Sequence, residues 1–278
     1  MRNRYSWTRT ALALALLFPA TLVFTQLRLL WLHDANYHGL TLVPFMAALL
    51  LWKRRPNLNL RSSGPNIGIP ALALFTTFLT ITLLWVDFVR FGALCFILNL
   101  FLLAWSCFAG RALRSCLAPL IFLVLMVPPS DHLMTALTVH LQELFSFTLD
   151  KLAPLFFTDY LGRHHTNLQF LNTAPMTIAP ECSGIRSLFG LIIVAACWAI
   201  LHHLRPLSTV FLLSSSVAIA LAGNLLRILT TITLRLHHLE QFAIGTFHGL
   251  LGIIICLLEC IIIAILAGRL RPPKGTSL

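Results

Sequence analysis

Charge is scarce in this sequence, and acid is scarcest: nine Asp and Glu stand among 278 residues, and charged residues make up only 10%. A soluble domain carries about a quarter of its residues charged, so a water-soluble reading is excluded. The residue pairings that announce metal or redox work are missing too. There is no Cys-x-x-Cys, no His-Glu-x-x-His and no serine in a Gly-x-Ser-x-Gly setting, which argues against a zinc or serine intramembrane protease. The doublets His164–His165, His202–His203 and His237–His238 are not read as ligands, so no metal and no cofactor is expected. The net charge of +11 comes without a basic patch interleaved with aromatics, so nucleic acid is not an expected partner either.

What is present is apolar. Hydrophobic residues reach 58%, and several runs approach the ~20 residues that cross a bilayer. The expected fold class is an all-α membrane protein, one integral domain over 1–278 built as a bundle of about eight transmembrane helices. The spans are expected near 10–32, 39–52, 67–86, 91–109, 117–127, 184–204, 206–234 and 242–267. Arg2, Arg4 and Arg9 precede an apolar stretch too long for a signal peptide, so the first span is read as retained. Basic residues then orient the set. Arg2, Arg4 and Arg9, then Lys53, Arg54, Arg55 and Arg61, then Arg111 and Arg114, then Arg205, then Arg269, Arg271 and Lys274 fall on one side, while every acid but Glu259 falls on the other. An N-in, C-in protein of the cell (inner) membrane is therefore expected.

One long polar interlude, 130–181, lies on the extracytoplasmic side. Leu133, Leu137, Leu141, Leu144, Phe145 and Leu152 come near helical spacing, which predicts an amphipathic helix in the interface. Residues 163–178 alternate in part and predict a small β-hairpin. The catalytic helices are expected over 182–267.

The interlude ends at Pro-Glu-Cys-Ser-Gly-Ile-Arg-Ser-Leu (180–188), which opens onto an apolar run. Six of the seven cysteines sit in or beside apolar runs and read as small core residues. Cys182 alone has a polar setting. A cysteine in the first turn of a helix would meet unpaired backbone N–H groups, which favour thiolate. Cys182 lies 23 residues before Arg205, Arg227 lies 22 after it, and His248 lies 21 before Arg269. At about 1.5 Å per residue each stands roughly 30 Å from a cytoplasmic basic flank, at one level near the outer interface. The chemistry suits the set: a thiolate to attack a carbonyl, an imidazole to protonate the leaving amine, a cation for the oxyanion. Asn224, three residues before Arg227, is placed to orient it or the substrate, and Arg186 to favour thiolate. Gly245, Gly249 and Gly252 would let neighbouring helices approach. Glu259, on the face of His248 but deep in its span, reads as structural, and Ser214–Ser216 as helix-packing material.

These residues resemble the exosortase/archaeosortase family of membrane-embedded cysteine transpeptidases. The likeness rests on Glu-Cys-Ser-Gly-Ile-Arg-Ser (181–187), Asn-Leu-Leu-Arg-Ile (224–228) and His-Gly (248–249), in that order. Tyr-His-Gly-Leu-Thr-Leu-Val-Pro (37–44), Leu-Trp-Lys-Arg-Arg (51–55) and Met-Val-Pro-Pro (126–129) are similar as well, so it covers nearly the whole chain. The resemblance implies that Cys182, Arg227 and His248 are catalytic. It implies substrates that are secreted proteins with a C-terminal sorting signal: a short motif such as Pro-Glu-Pro, a transmembrane helix and a basic tail, as in PEP-CTERM systems. The protein would be cut near the motif and transferred through a thioester to a surface acceptor, a lipid or a glycan, in an exopolysaccharide-associated setting. Glu181, Ser183, Gly184, Arg186, Asn224 and His38 form the supporting or substrate-binding set. Pro180 departs from the small or acidic residue expected before Glu-Cys, and points to a different recognition motif.

Two rivals come from other classes. A transporter or lipid-handling protein would use Arg227 to bind an anionic headgroup and would need a polar path, whereas the first, third and fourth spans carry few polar residues. An assembly scaffold would tolerate loss of Cys182.

Overall fold

The computed structural model describes residues 2–54, 68–108, 110–171, 173–239 and 246–271. The basic loop residues Arg55 and Arg61, together with Asn172, Gly245 and Lys274, lie outside them. The chain is mostly helical, with one small sheet, and divides into two compact units, Met1–Pro129 and Ser130–Leu278. The boundary falls where the polar interlude was expected to begin.

In the first unit, helix α1 (Arg2–His33) buries Val23, Leu27 and Trp31, a stripe repeating every fourth residue. The Trp31 indole donates to the Met126 carbonyl at 2.9 Å. A 3-10 turn (Ala35–Leu42) is opened by Asp34, which accepts from the Asn36 N–H, and it carries an exposed His38. α2 (Val43–Lys53) follows directly, started by Pro44 in its first turn. α3 (Gly68–Trp85) and α4 (Val89–Cys107) form a hairpin, and α5 (Gly110–Phe122) runs into a 3-10 turn, Leu123–Met126. The few polar side chains of α3 and α4 are spent on one another. The fully buried Asn99 accepts from Thr76 at 2.6 Å and from Thr77 at 3.3 Å, and donates to Thr80 at 3.4 Å. A satisfied polar layer of this kind holds two apolar helices in register.

The second unit opens with α6 (Asp131–Phe156), capped by the Ser130 hydroxyl. Its buried stripe is Met134, Phe145, Leu149 and Ala153, while Leu133 and Leu144 lie outside. Of the expected apolar positions, Phe145 is buried and Leu141 packs against the same cluster, on the side that the sheet takes. β1 (Tyr160–His164) and β2 (Asn167–Phe170) form an antiparallel hairpin, and β3 (Met176–Thr177) pairs with β2. The hairpin begins three residues before the expected 163 because Tyr160 pairs with Phe170 across a bulge. Tyr160 packs edge-on against Phe170, and its hydroxyl donates to Asp150 of α6 at 2.8 Å. Burial and that carboxylate together push the phenol pKa up.

α7 (Ile185–Leu201), α8 (Pro206–Leu236) and α9 (Thr246–Arg269) pack together. Their shared core is Leu191, Ala195 and Ala199 from α7, Leu212 and Ala220 from α8, and Ile263 and Ala267 from α9. Small alanines at the contacts let the backbones approach. Ser216 is buried in α8 and bonds its own helix at Leu213, as packing material would. The histidine doublets mark chain reversals. His203 and His238 follow helix ends and His165 lies in the hairpin turn, all three at positive φ between 52° and 58°.

Among the described residues, four helices are long and apolar enough to cross a membrane: Ala35–Lys53, Val89–Cys107, Pro206–Leu236 and Gly249–Arg269. Ala71–Trp85 and Ile185–Leu201 are shorter apolar helices, and a fifth span results if Ala112–Met126 and Asp131–Phe156 are taken together. The chain is therefore a multi-pass membrane protein. The sixth expected span stops at Leu201 rather than 204, where the chain turns through His202 and the left-handed His203.

Candidate active site

The approach to Cys182 is set by the polar segment before it. The Gln142 side chain of α6 donates to the Ile178 carbonyl at 2.7 Å, and the Thr177 hydroxyl donates to Asn167 at 2.6 Å. The strand thus anchored delivers the chain to Pro180. Proline fixes φ and starts a 3-10 turn, Pro180–Cys182, in which the Cys182 N–H donates to the Ala179 carbonyl at 2.8 Å. Cys182 is therefore not in the first turn of a helix, as the sequence suggested. Helix α7 starts only at Ile185, and Gly184 at φ 74° breaks the two apart.

That glycine is required twice over. A left-handed φ disfavours any side chain, and a Cβ on Gly184 would stand 2.6 Å from Cγ of Asn224. Asn224, 2% exposed, fills the space and donates from Nδ2 to the Cys182 carbonyl at 2.8 Å. Ser183 beside it is 1% exposed. Replacing Gly184 by Ala is expected to destabilise the protein by about 1–3 kcal/mol from the backbone alone. It should also push Asn224 off the Cys182 carbonyl. The check is the thermal unfolding of the detergent-solubilised variant, where an unshifted midpoint would contradict this reading.

Cys182 and Arg227 line one cleft of about 80 Å³ in the second unit. One wall is the α8 face carrying Ile228, Thr231, Ile232 and Arg235; the other comes from Leu168 of β2 and from the β3 segment. Behind that wall, Phe145 and Leu149 of α6 and Phe170 of β2 complete an apolar cluster against which Cys182 packs. The interlude thus builds one side of the cleft. From the opposite direction the Arg227 guanidinium is set on Gly252 of α9. A Cβ there would lie 3.5 Å from its Nε and Cζ. Gly252 is the close approach expected of the α9 glycines; Gly249 faces open space.

His248 lies in α9 one turn before Gly252. Its side chain, like that of Glu181, lies outside the described residues. Arg186 is exposed on the first turn of α7 and does not line the cleft. His38 belongs to the first unit. Glu259 is about three turns beyond His248 in α9 and 3% exposed, with neither carboxyl oxygen hydrogen-bonded and Oε1 packed against Gly223 of α8. Thr231 and Arg235 were not singled out from sequence. The signal was there, since both continue the Arg227 face at every fourth residue.

A family model described as Transmembrane exosortase (Exosortase_EpsH) matches residues 31–265, a stretch that contains Cys182, Asn224, Arg227 and His248. No curated protein and no solved structure shows significant similarity to the chain.

Proposed function

The chain belongs to the transmembrane exosortase family, and we propose that it is a cysteine transpeptidase acting on the C-terminal sorting signals of exported proteins. The observation that carries this reading is the shared cleft. Cys182 and Arg227 line it together, and Arg227 rests on Gly252, one turn from His248.

In the proposed reaction the Cys182 thiolate attacks the scissile carbonyl carbon, and the new C–S bond leaves an oxyanion that Arg227 steadies. Collapse of that adduct breaks the C–N bond. His248 gives its proton to the departing amine, which leaves with the substrate's membrane helix and basic tail. The exported part remains as a thioester on Cys182. An acceptor nucleophile, deprotonated by His248, then attacks the same carbonyl and releases the sulfur. The apolar wall built by the sheet limits water in competition with the acceptor.

The proposed orientation is eight spans, N-in and C-in, with the cleft at the extracytoplasmic face of the inner membrane. Its support within the second unit is that Arg205 and Arg227 flank 21 residues of continuous α8, about 32 Å, a full hydrocarbon thickness. A substrate helix halted by its own basic tail would present its outer end at that depth.

Coexpression with an exported reporter carrying motif, helix and basic tail tests the function. The reporter should be shortened, and a version lacking the helix should stay intact. A reporter left at full length would refute the proposal.

A further inference from the structure

The cleft extends further than bond cleavage needs. From Arg227 its α8 wall continues through Ile228, Thr231 and Ile232 to Arg235, eight residues or about 12 Å along the helix. The facing wall is the segment Met176, Thr177, Ile178 and Ala179. β3 is the outer strand of its sheet, paired only with β2 among the described residues. The α8 face thus meets the sheet face that carries the paired Leu168 and Met176, and an extended substrate chain can lie along the slot between them. At about 3.3 Å per residue, 12 Å holds three to four residues.

Among the described residues, the ionisable side chains beyond Cys182 that line the slot are Arg227 and Arg235, and no described carboxylate lines it. Among the described residues Arg235 makes no ion pair. A half-buried guanidinium on an apolar wall attracts a carboxylate more strongly than one in open water would.

We infer that Arg235 is a specificity-determining residue that binds an acidic side chain of the substrate, three to four residues from the scissile carbonyl on the exported side. The inference rests on the proposed transpeptidase reading, which supplies the direction. Arg235 lies past Arg227 toward the outer end of α8, so it meets the substrate before its membrane helix begins.

The experiment uses the full-length protein in neutral-lipid vesicles and a set of reporters. Each reporter carries one Asp or one Lys at a single position from one to six residues before the cleavage site. Wild-type protein should prefer Asp at the third or fourth position by about tenfold to a hundredfold over Lys. Arg235→Glu should reverse that preference at the same positions, and its gain of activity on the Lys reporters shows that it is folded. Cleavage that needs Cys182 but keeps one preference in wild type and Arg235→Glu overturns this inference alone. Cleavage that survives Cys182→Ala overturns the proposed function and the inference with it. A rate that follows added anionic lipid rather than the reporter's acid assigns Arg235 to a headgroup and also overturns the inference.

Discussion

Cys182→Ser is expected to lower reporter processing on the order of 10⁴-fold or more, while the protein still inserts and folds. The exchange changes one atom of a side chain whose backbone is held by Asn224 and by the Pro180–Cys182 turn, neither of which involves the sulfur. What disappears is the nucleophile, since a serine hydroxyl stays protonated at a pH where a thiol ionises. The six other cysteines remain in this variant, so any of them that substituted for Cys182 would reveal itself as residual turnover. Time courses of reporter size, with the variant's amount in the membrane measured alongside, supply the number. A loss below about tenfold would remove Cys182 from the chemistry.

Arg227→Lys should lower processing by about 10²–10³-fold with the positive charge retained. The guanidinium is seated flat against Gly252, where the absence of a side chain lets a planar group approach the α9 backbone. An ammonium on a flexible stem offers no fork and no plane, so it neither reproduces that seating nor presents two parallel donors to an oxyanion. The same substitution separates transpeptidation from the headgroup-binding alternative, in which a point charge of the same sign would serve nearly as well. The satisfied Thr76–Thr80–Asn99 layer also weighs against a polar path through α3 and α4. Comparing rates at saturating and limiting reporter shows whether the loss lies in turnover, as expected, or in binding.

The sequence carries much of this arrangement for identifiable reasons. Asn224 and Arg227 intrude into an otherwise apolar helix, and a polar side chain there needs a specific partner, so both stand out without coordinates. The hairpin is legible from its alternation, with Phe170 buried and Gln169 exposed. Other features were hidden. The boundary between the cysteine turn and α7 depends on Gly184 taking a left-handed φ. Glycine permits that conformation without demanding it, and the demand comes from Asn224, forty residues on. Which apolar residues of α6 face the core was hidden because the exposed Leu133 and Leu144 are as apolar as the buried Phe145 and Leu149. In a membrane protein, lipid-facing and core-facing positions are both apolar, so hydropathy loses its power to tell them apart. In each histidine doublet the second histidine takes the left-handed position of a chain reversal, a role composition cannot display. Arg235 went unnoticed because a lone arginine near a helix end ordinarily reads as an interfacial anchor.

The most direct measurement is the intact mass of the protein trapped in mid-reaction. With a sorting-signal reporter supplied and no acceptor nucleophile present, release of the acyl group should slow. Mass spectrometry should then find the exported fragment attached, the adduct should map to the peptide containing Cys182, and neutral hydroxylamine should remove it. An adduct on any other residue, or complete processing of the reporter with no covalent species at any time, would contradict the account.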